Sequence, residues 1–103
     1  MFEQIMQQRP AVDAIFFCND DLAQGALMAA LRMGIAVPSQ VAIAGFNDLT
    51  GSDQMLPALT TVRTPRAQIG EAAAQMLLSL MRGEEPVAPQ LDLGFDILQR
   101  QSS

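Results

Sequence analysis

The run Phe16-Phe17-Cys18-Asn19-Asp20-Asp21-Leu22-Ala23 sets an apolar strand directly against three amide and carboxylate side chains and starts a helix without a linker. That junction is the signature of an open α/β sheet. In such a sheet the carboxyl ends of the strands form the crevice where small molecules bind, and helix N-terminal amides add hydrogen-bond donors there. The stretch Ala42-Ile43-Ala44-Gly45-Phe46-Asn47-Asp48 repeats the pattern, a second apolar strand ending in an Asn-Asp pair. Two such edges can serve one site.

The rest of the chain alternates between strand-like and helix-like segments. Phe2 to Gln8 reads as a helix that lacks its beginning, and Arg9-Pro10 turns the chain into a strand over Asp13 to Phe17. Asn19 or Asp20 can cap a helix from about Asp21 to Met33, which Gly34 ends in a left-handed conformation. Val41 to Gly45 is apolar at successive positions, as a parallel strand buried on both faces should be. Together these segments predict a βαβ unit of about thirty residues.

Asn47 to Pro57 is rich in Gly, Ser, Asp and Thr and reads as the functional loop, with a turn of helix around Asp53 to Leu56. Leu59 to Val62 is a short strand. Thr64 is placed as N-cap and Pro65 as first helical residue of a helix reaching about Arg82, with Ile69, Ala73, Met76, Leu77, Leu80 and Met81 at helical spacing and Gly83 at its end. Glu84 to Pro89 reads as a connector, Leu91 to Leu98 as a bent strand or strand pair, and Gln99 to Ser103 as a frayed tail. The fold class expected is therefore α/β, a Rossmann-like parallel sheet with flanking helices.

Composition removes whole classes of chemistry. The 103 residues contain no His, Lys, Tyr or Trp, which excludes Ser-His and Cys-His nucleophiles, a P-loop lysine and Schiff-base chemistry, and no enzyme is expected. The missing lysine also sets aside a two-component receiver domain. Cys18 is the single cysteine, so no intrachain disulfide can form, and it reads as a small buried hydrophobe in a reducing compartment. No metal site or cofactor is expected, because His and Cys clusters are missing and the acids lack an EF-hand spacing. With a formal charge of −5 and no basic cluster, a phosphate-backbone surface is not expected within these residues, and DNA contact, if any, comes from elsewhere. No run approaches the roughly eighteen apolar residues of a membrane span, and the start Met1-Phe2-Glu3-Gln4 lacks a basic signal-peptide opening. A cytoplasmic location follows as the expectation.

The order Ala14-Ile15-Phe16-Phe17-Cys18-Asn19-Asp20, Ala23, Gly25, Gly34, Val37-Pro38, Gly45-Phe46-Asn47-Asp48 and Leu59-Thr60-Thr61-Val62 resembles the C-terminal part of the LacI/GalR family of bacterial transcriptional regulators. The likeness covers roughly residues 5 to 100. Thr64-Pro65-Arg66 and Leu91-Asp92-Leu93-Gly94-Phe95 look most like the gluconate-operon repressors within that family.

The resemblance implies the C-terminal portion of a periplasmic-binding-protein-like (type I) fold, in which two Rossmann-like subdomains enclose an effector cleft. Residues 1–103 would form part of the effector-binding and dimerisation domain, with the 66–82 helix belonging to the N-terminal subdomain of the intact protein. DNA would be bound only through a separate helix-turn-helix headpiece. Ligand contacts map to Asn19, Asn47 and Arg66, with Asp48 as a further candidate. Family members commonly carry Asp where this chain has Asn47. A neutral amide both donates and accepts, which suits a polyhydroxy acid whose anion a carboxylate would repel, and Arg66 could pair bidentately with the ligand's carboxylate. Leu22, Gly25, Ala26, Ala29 and Met55 map to a homodimer surface.

Each residue has a plainer reading. Asn19 and Asp20 can be helix-cap residues only, Asn47-Asp48 ordinary turn chemistry, and Arg66 a solvated cation in a first helical turn. At the level of the whole protein, a periplasmic-type sugar-binding protein and a pure dimerisation module stand beside the repressor. The apolar stripe of residues 66 to 82 would lose its usual packing surface in this chain, and is expected to fold back on the chain's own sheet or to be exchanged with a second copy.

Overall fold

The computed structural model describes residues 1–85 and 88–103, which divide into two compact units. The expected connector at 84–89 lies partly outside the described residues. The first unit holds residues 1–63 and 96–103; the second holds 64–95.

In the first unit, α1 (Phe2–Gln8) leads to β1 (Ala14–Phe16), then α2 (Asp20–Met33), β2 (Ala42–Phe46), a single 3-10 turn (Ser52–Gln54) and β3 (Thr60–Arg63), with β4 (Asp96–Leu98) completing the sheet. Strand order is β1-β2-β3-β4. The first three strands are parallel and β4 is antiparallel to β3, with Thr61 opposite Leu98 and Arg63 opposite Asp96. The carboxyl ends of β1 and β2 therefore lie side by side, as the two Asn-Asp edges require.

Helix α2 forms because its ends are closed and one face is small and apolar. Asn19 caps it, its side chain accepting from the Leu22 amide at 3.0 Å, and Gly34 ends it at φ 69. Ala23, Ala26, Leu27 and Ala30 bury against the sheet and α1 in one core with Phe2, Met6, Phe17, Val41, Ile43 and Leu59. Full burial of one such large side chain, Ile43 for example, contributes about 1.5–3 kcal/mol.

That core lies on one side of the sheet. Phe16 and Ile97 remain 63% and 69% exposed, and Ala42, Ala44 and Phe46 only half-buried. The expectation of a strand buried on both faces holds for one face, because α2 covers that side alone within this unit.

Three expectations give way here. Cys18 is exposed rather than buried, because it follows the last core residue of its segment, Phe17, and precedes the cap. The tail is not frayed. Ser102 is fully buried between β2 and β3, where its hydroxyl donates to the Ile43 carbonyl at 2.6 Å and accepts from the Thr60 amide at 2.8 Å, while its carbonyl takes the Ile43 amide at 2.8 Å. It thus supplies the ladder partners that β2 and β3 lack below their paired stretch. Third, residues 91–95 are not strand. Gly94, at φ 76, donates its amide to the Asp92 carboxylate at 2.7 Å, a local turn that keeps extended pairing to Asp96–Leu98.

In the second unit, α3 (Arg66–Met81) begins after Pro65, which occupies the cap position at ψ 69; no side chain caps it. Thr64 was expected in that role, but the Arg66 amide bonds the Thr64 carbonyl at 2.8 Å and delays the helix by one residue. Gly83, at φ 79, closes the far end with Gly83 N–H to Leu80 O and Glu84 N–H to Ser79 O, both at 3.0 Å. No residue of α3 is buried.

Candidate functional site

The candidate site is the carboxyl edge of β1 and β2. Asn19 stands after β1 and Asn47 directly after β2, each half-buried. Among the described residues the Asn19 side chain uses its oxygen for the α2 cap and the Asn47 side chain has no hydrogen-bond partner. Both therefore keep amide donors at the edge, and Asn47 keeps its acceptor as well.

The backbone at Asn47 and Asp48 turns sharply. Both adopt positive φ, 100° and 50°, a region costly for residues with a Cβ and tolerated best by Asn and Asp. This corner sends the chain back across β3. The Asn47 amide bonds the Val62 carbonyl at 2.8 Å and the Asp48 amide reaches the Thr61 hydroxyl at 3.3 Å.

Beneath the corner sits Asp20, fully buried at the first position of α2. Its Oδ2 accepts from the Leu49 amide at 2.8 Å and the Ser52 hydroxyl at 2.6 Å, and its Oδ1 accepts from the Thr61 hydroxyl at 2.6 Å. A buried carboxylate is tolerable only when its oxygens are fully hydrogen-bonded, and the helix N-terminus adds a favourable dipole. Gly45 makes the room: a Cβ there would lie 2.2 Å from Asp20 Oδ1.

Asp48, expected among the ligand contacts, has its carboxylate committed within the protein. Arg100 Nη2 lies 2.8 Å from Oδ1 and Arg63 Nη1 lies 3.7 Å from Oδ2. Arg100 also donates to the Leu59 carbonyl at 3.0 Å. Asp48 thus braces the loop rather than offering a free carboxylate. Arg66 is exposed in the first turn of α3 and belongs to the second unit.

Of the expected dimer residues, Leu22 and Gly25 are exposed and Met55 is half-buried against the core. Ala26 and Ala29 lie in the core of this unit, 3% and 6% exposed, because α1 brings Phe2 and Met6 into the same cluster. The sequence reading missed Asp20 as a hub, along with Ser52, Thr61, Arg100 and Ser102. One signal was available: an acid after a strand, in register to face a glycine on the next strand, has space to turn inward.

The periplasmic binding protein-like domain family matches residues 1–103. The HTH-type transcriptional regulator GntR of Pseudomonas aeruginosa is 52% identical over 103 residues, all of this chain and 30% of that protein. The chain thus spans about a third or less of the curated relatives it matches. The crystal structure of transcription regulator GntR from Chromobacterium violaceum superposes with a TM-score of 0.89 at 52% identity, covering 100% of this chain and 38% of that one. A LacI family regulator from Lactobacillus casei with bound sucrose gives 0.79 at 29% identity, over 99% of this chain and 38% of the other. The lac repressor dimer bound to operator and an anti-inducer gives 0.83 at 27%, over 99% and 36%. An α/β sheet whose strand ends carry paired Asn-Asp edges, matched along its whole length, belongs to the periplasmic binding protein-like domain family, in the form that serves LacI/GalR regulators as the effector-binding domain.

Proposed function

We propose that this chain is the effector-sensing part of a cytoplasmic bacterial transcriptional repressor that binds a sugar acid, with gluconate the first to test. Asn19 and Asn47 contact the effector's hydroxyls and Arg66 its carboxylate. The observation that carries this reading is the pair of amides at the carboxyl edge of β1 and β2, where Asn47 leaves an acidic ligand unrepelled. The HTH-type transcriptional regulators among the relatives, and the sucrose bound to a structural neighbour, support a regulator with a sugar-type effector.

In this reading the 66–82 helix belongs to the N-terminal subdomain, consistent with a chain that divides at Arg63/Thr64 and Phe95/Asp96. Leu22, Gly25 and Met55 contribute to a homodimer, and DNA is held by a separate helix-turn-helix headpiece. Effector binding shifts the balance between open and closed subdomain arrangements, and operator affinity changes because the two states bind the effector differently.

Calorimetric titration of the full-length protein with gluconate, and with glucose as the uncharged control, tests the reading. Saturable binding of gluconate that exceeds glucose and alters operator affinity is expected. Equal binding of the two, or none, overturns it. If Asn19→Ala and Asn47→Ala both leave the effector response intact, a pure dimerisation module is the better account.

A further inference from the structure

Two consecutive residues with side chains, Asn47 and Asp48, hold positive φ at the ligand edge, and something must hold them there. The amide that follows the corner, Leu49 N–H, is bonded to the Asp20 carboxylate. The amide inside it, Asp48 N–H, is bonded to the Thr61 hydroxyl, which in turn donates to Asp20. Ser52, further along the loop, donates to the same carboxylate. One buried side chain, reached directly and through one hydroxyl, therefore ties the corner that aims Asn47 from beneath, beside the Asn47 amide's bond to Val62 and the Asp48–Arg100 pair, and its own chain neighbour is Asn19.

We infer that Asp20 is a positioning residue for the effector: through Thr61 and the Leu49 amide it presets the Asn47-Asp48 corner, so that Asn19 and Asn47 are offered together before the ligand arrives. This rests on the function proposed above. Its physical basis is preorganisation, since a corner already fixed in its costly conformation spares the ligand that expense. Asp20 does not touch the ligand, being wholly enclosed by α2, the loop and β3.

Thr61 offers the clean test because Val keeps its shape and removes only the hydroxyl, whereas Ser keeps the hydroxyl. In the full-length protein, Thr61→Val is expected to speed amide hydrogen exchange at residues 47–50 while α2 and β2 stay protected. It should weaken gluconate binding about tenfold, the scale of a lost buried hydrogen bond, and leave operator affinity unchanged. Thr61→Ser should restore both readouts, and Asp20→Asn should reproduce the loss if it folds.

Unchanged exchange at 47–50 in Thr61→Val overturns the proposal. So does unchanged gluconate affinity in a protein that binds gluconate, or a parallel fall of operator affinity with exchange raised throughout, which marks a merely structural role. If the wild type binds no gluconate, the functional reading fails instead, and the exchange experiment alone decides whether Asp20 sets the corner.

Discussion

The Arg100 guanidinium lies 2.8 Å from the Asp48 carboxylate, joining the last residues of the chain to the loop behind β2. Both side chains are four-fifths or more withdrawn from solvent, so the pair is neither a surface contact nor a fully desolvated one. Removing one partner strands the other in a partly dry site. Arg100→Met is expected to destabilise the protein by about 1–2 kcal/mol in urea unfolding. Asp48→Asn should cost a similar amount and the double variant less than the two together, since they share one interaction. Strict additivity would show that the contact does not form in solution.

Gly45→Ala addresses the space around Asp20. The added methyl would meet the carboxylate oxygen at 2.2 Å and the Ala23 side chain at 3.2 Å, both in the core, so neither neighbour can swing into solvent. Overpacking of this kind costs about 1–3 kcal/mol or more. In combination with Asp20→Ala the penalty of the new methyl should shrink, because its main obstacle is gone, even though Asp20→Ala alone leaves the Ser52 and Thr61 hydroxyls without their acceptor. Thermal unfolding of the four proteins in the cycle measures the coupling; a Gly45→Ala protein as stable as wild type would contradict the geometry.

The βα framework was legible because its signals are local. Asn19 caps, Gly34 stops the helix, and the apolar run after Gln40 makes β2, all within a few residues of the chain. The paired edges followed from the same local reading. What escaped it depends on partners far away in sequence. Ser102 is polar and terminal, and only the gap between β2 and β3 explains its burial. Ala26 and Ala29 look alike as core or interface until α1 is seen against them. Asp20 and Asp21 are chemically equivalent on paper, and Gly45 decides which one turns inward. Thr64 lost the cap to a backbone bond that no propensity encodes.

Asn19 has an observed role and a proposed one that substitution can separate. Its oxygen caps α2, and its amide nitrogen is the group proposed to meet the effector. Asn19→Ala removes both and should cost about 1 kcal/mol of stability together with effector affinity. Asn19→Asp keeps an accepting oxygen for the Leu22 amide and also suits the helix N-terminus, so stability should hold. The donor is lost, however, and a negative charge appears where the anionic effector is proposed to bind. Gluconate binding should then fall well over tenfold in a fully folded protein, measured by calorimetry beside a melting curve. Undiminished binding in Asn19→Asp would reduce Asn19 to a helix cap.

The stripe on α3 poses the last question, because Ile69, Leu77, Leu80 and Met81 are 43–76% exposed and no residue of the helix is buried. Apolar surface repeated along four turns favours association. The 103-residue chain taken alone should therefore sediment as a dimer or larger species at micromolar concentration, and Leu77→Gln with Leu80→Gln should shift it toward monomer. In the full-length protein, where an N-terminal subdomain is proposed to cover this helix, the same two changes should instead lower the unfolding temperature and leave the oligomeric state alone. The contrast separates a face meant for the protein's own other subdomain from one meant for a second copy. A monodisperse monomer of the isolated chain, with residues 66–82 freely mobile, would show that the stripe needs no cover at all.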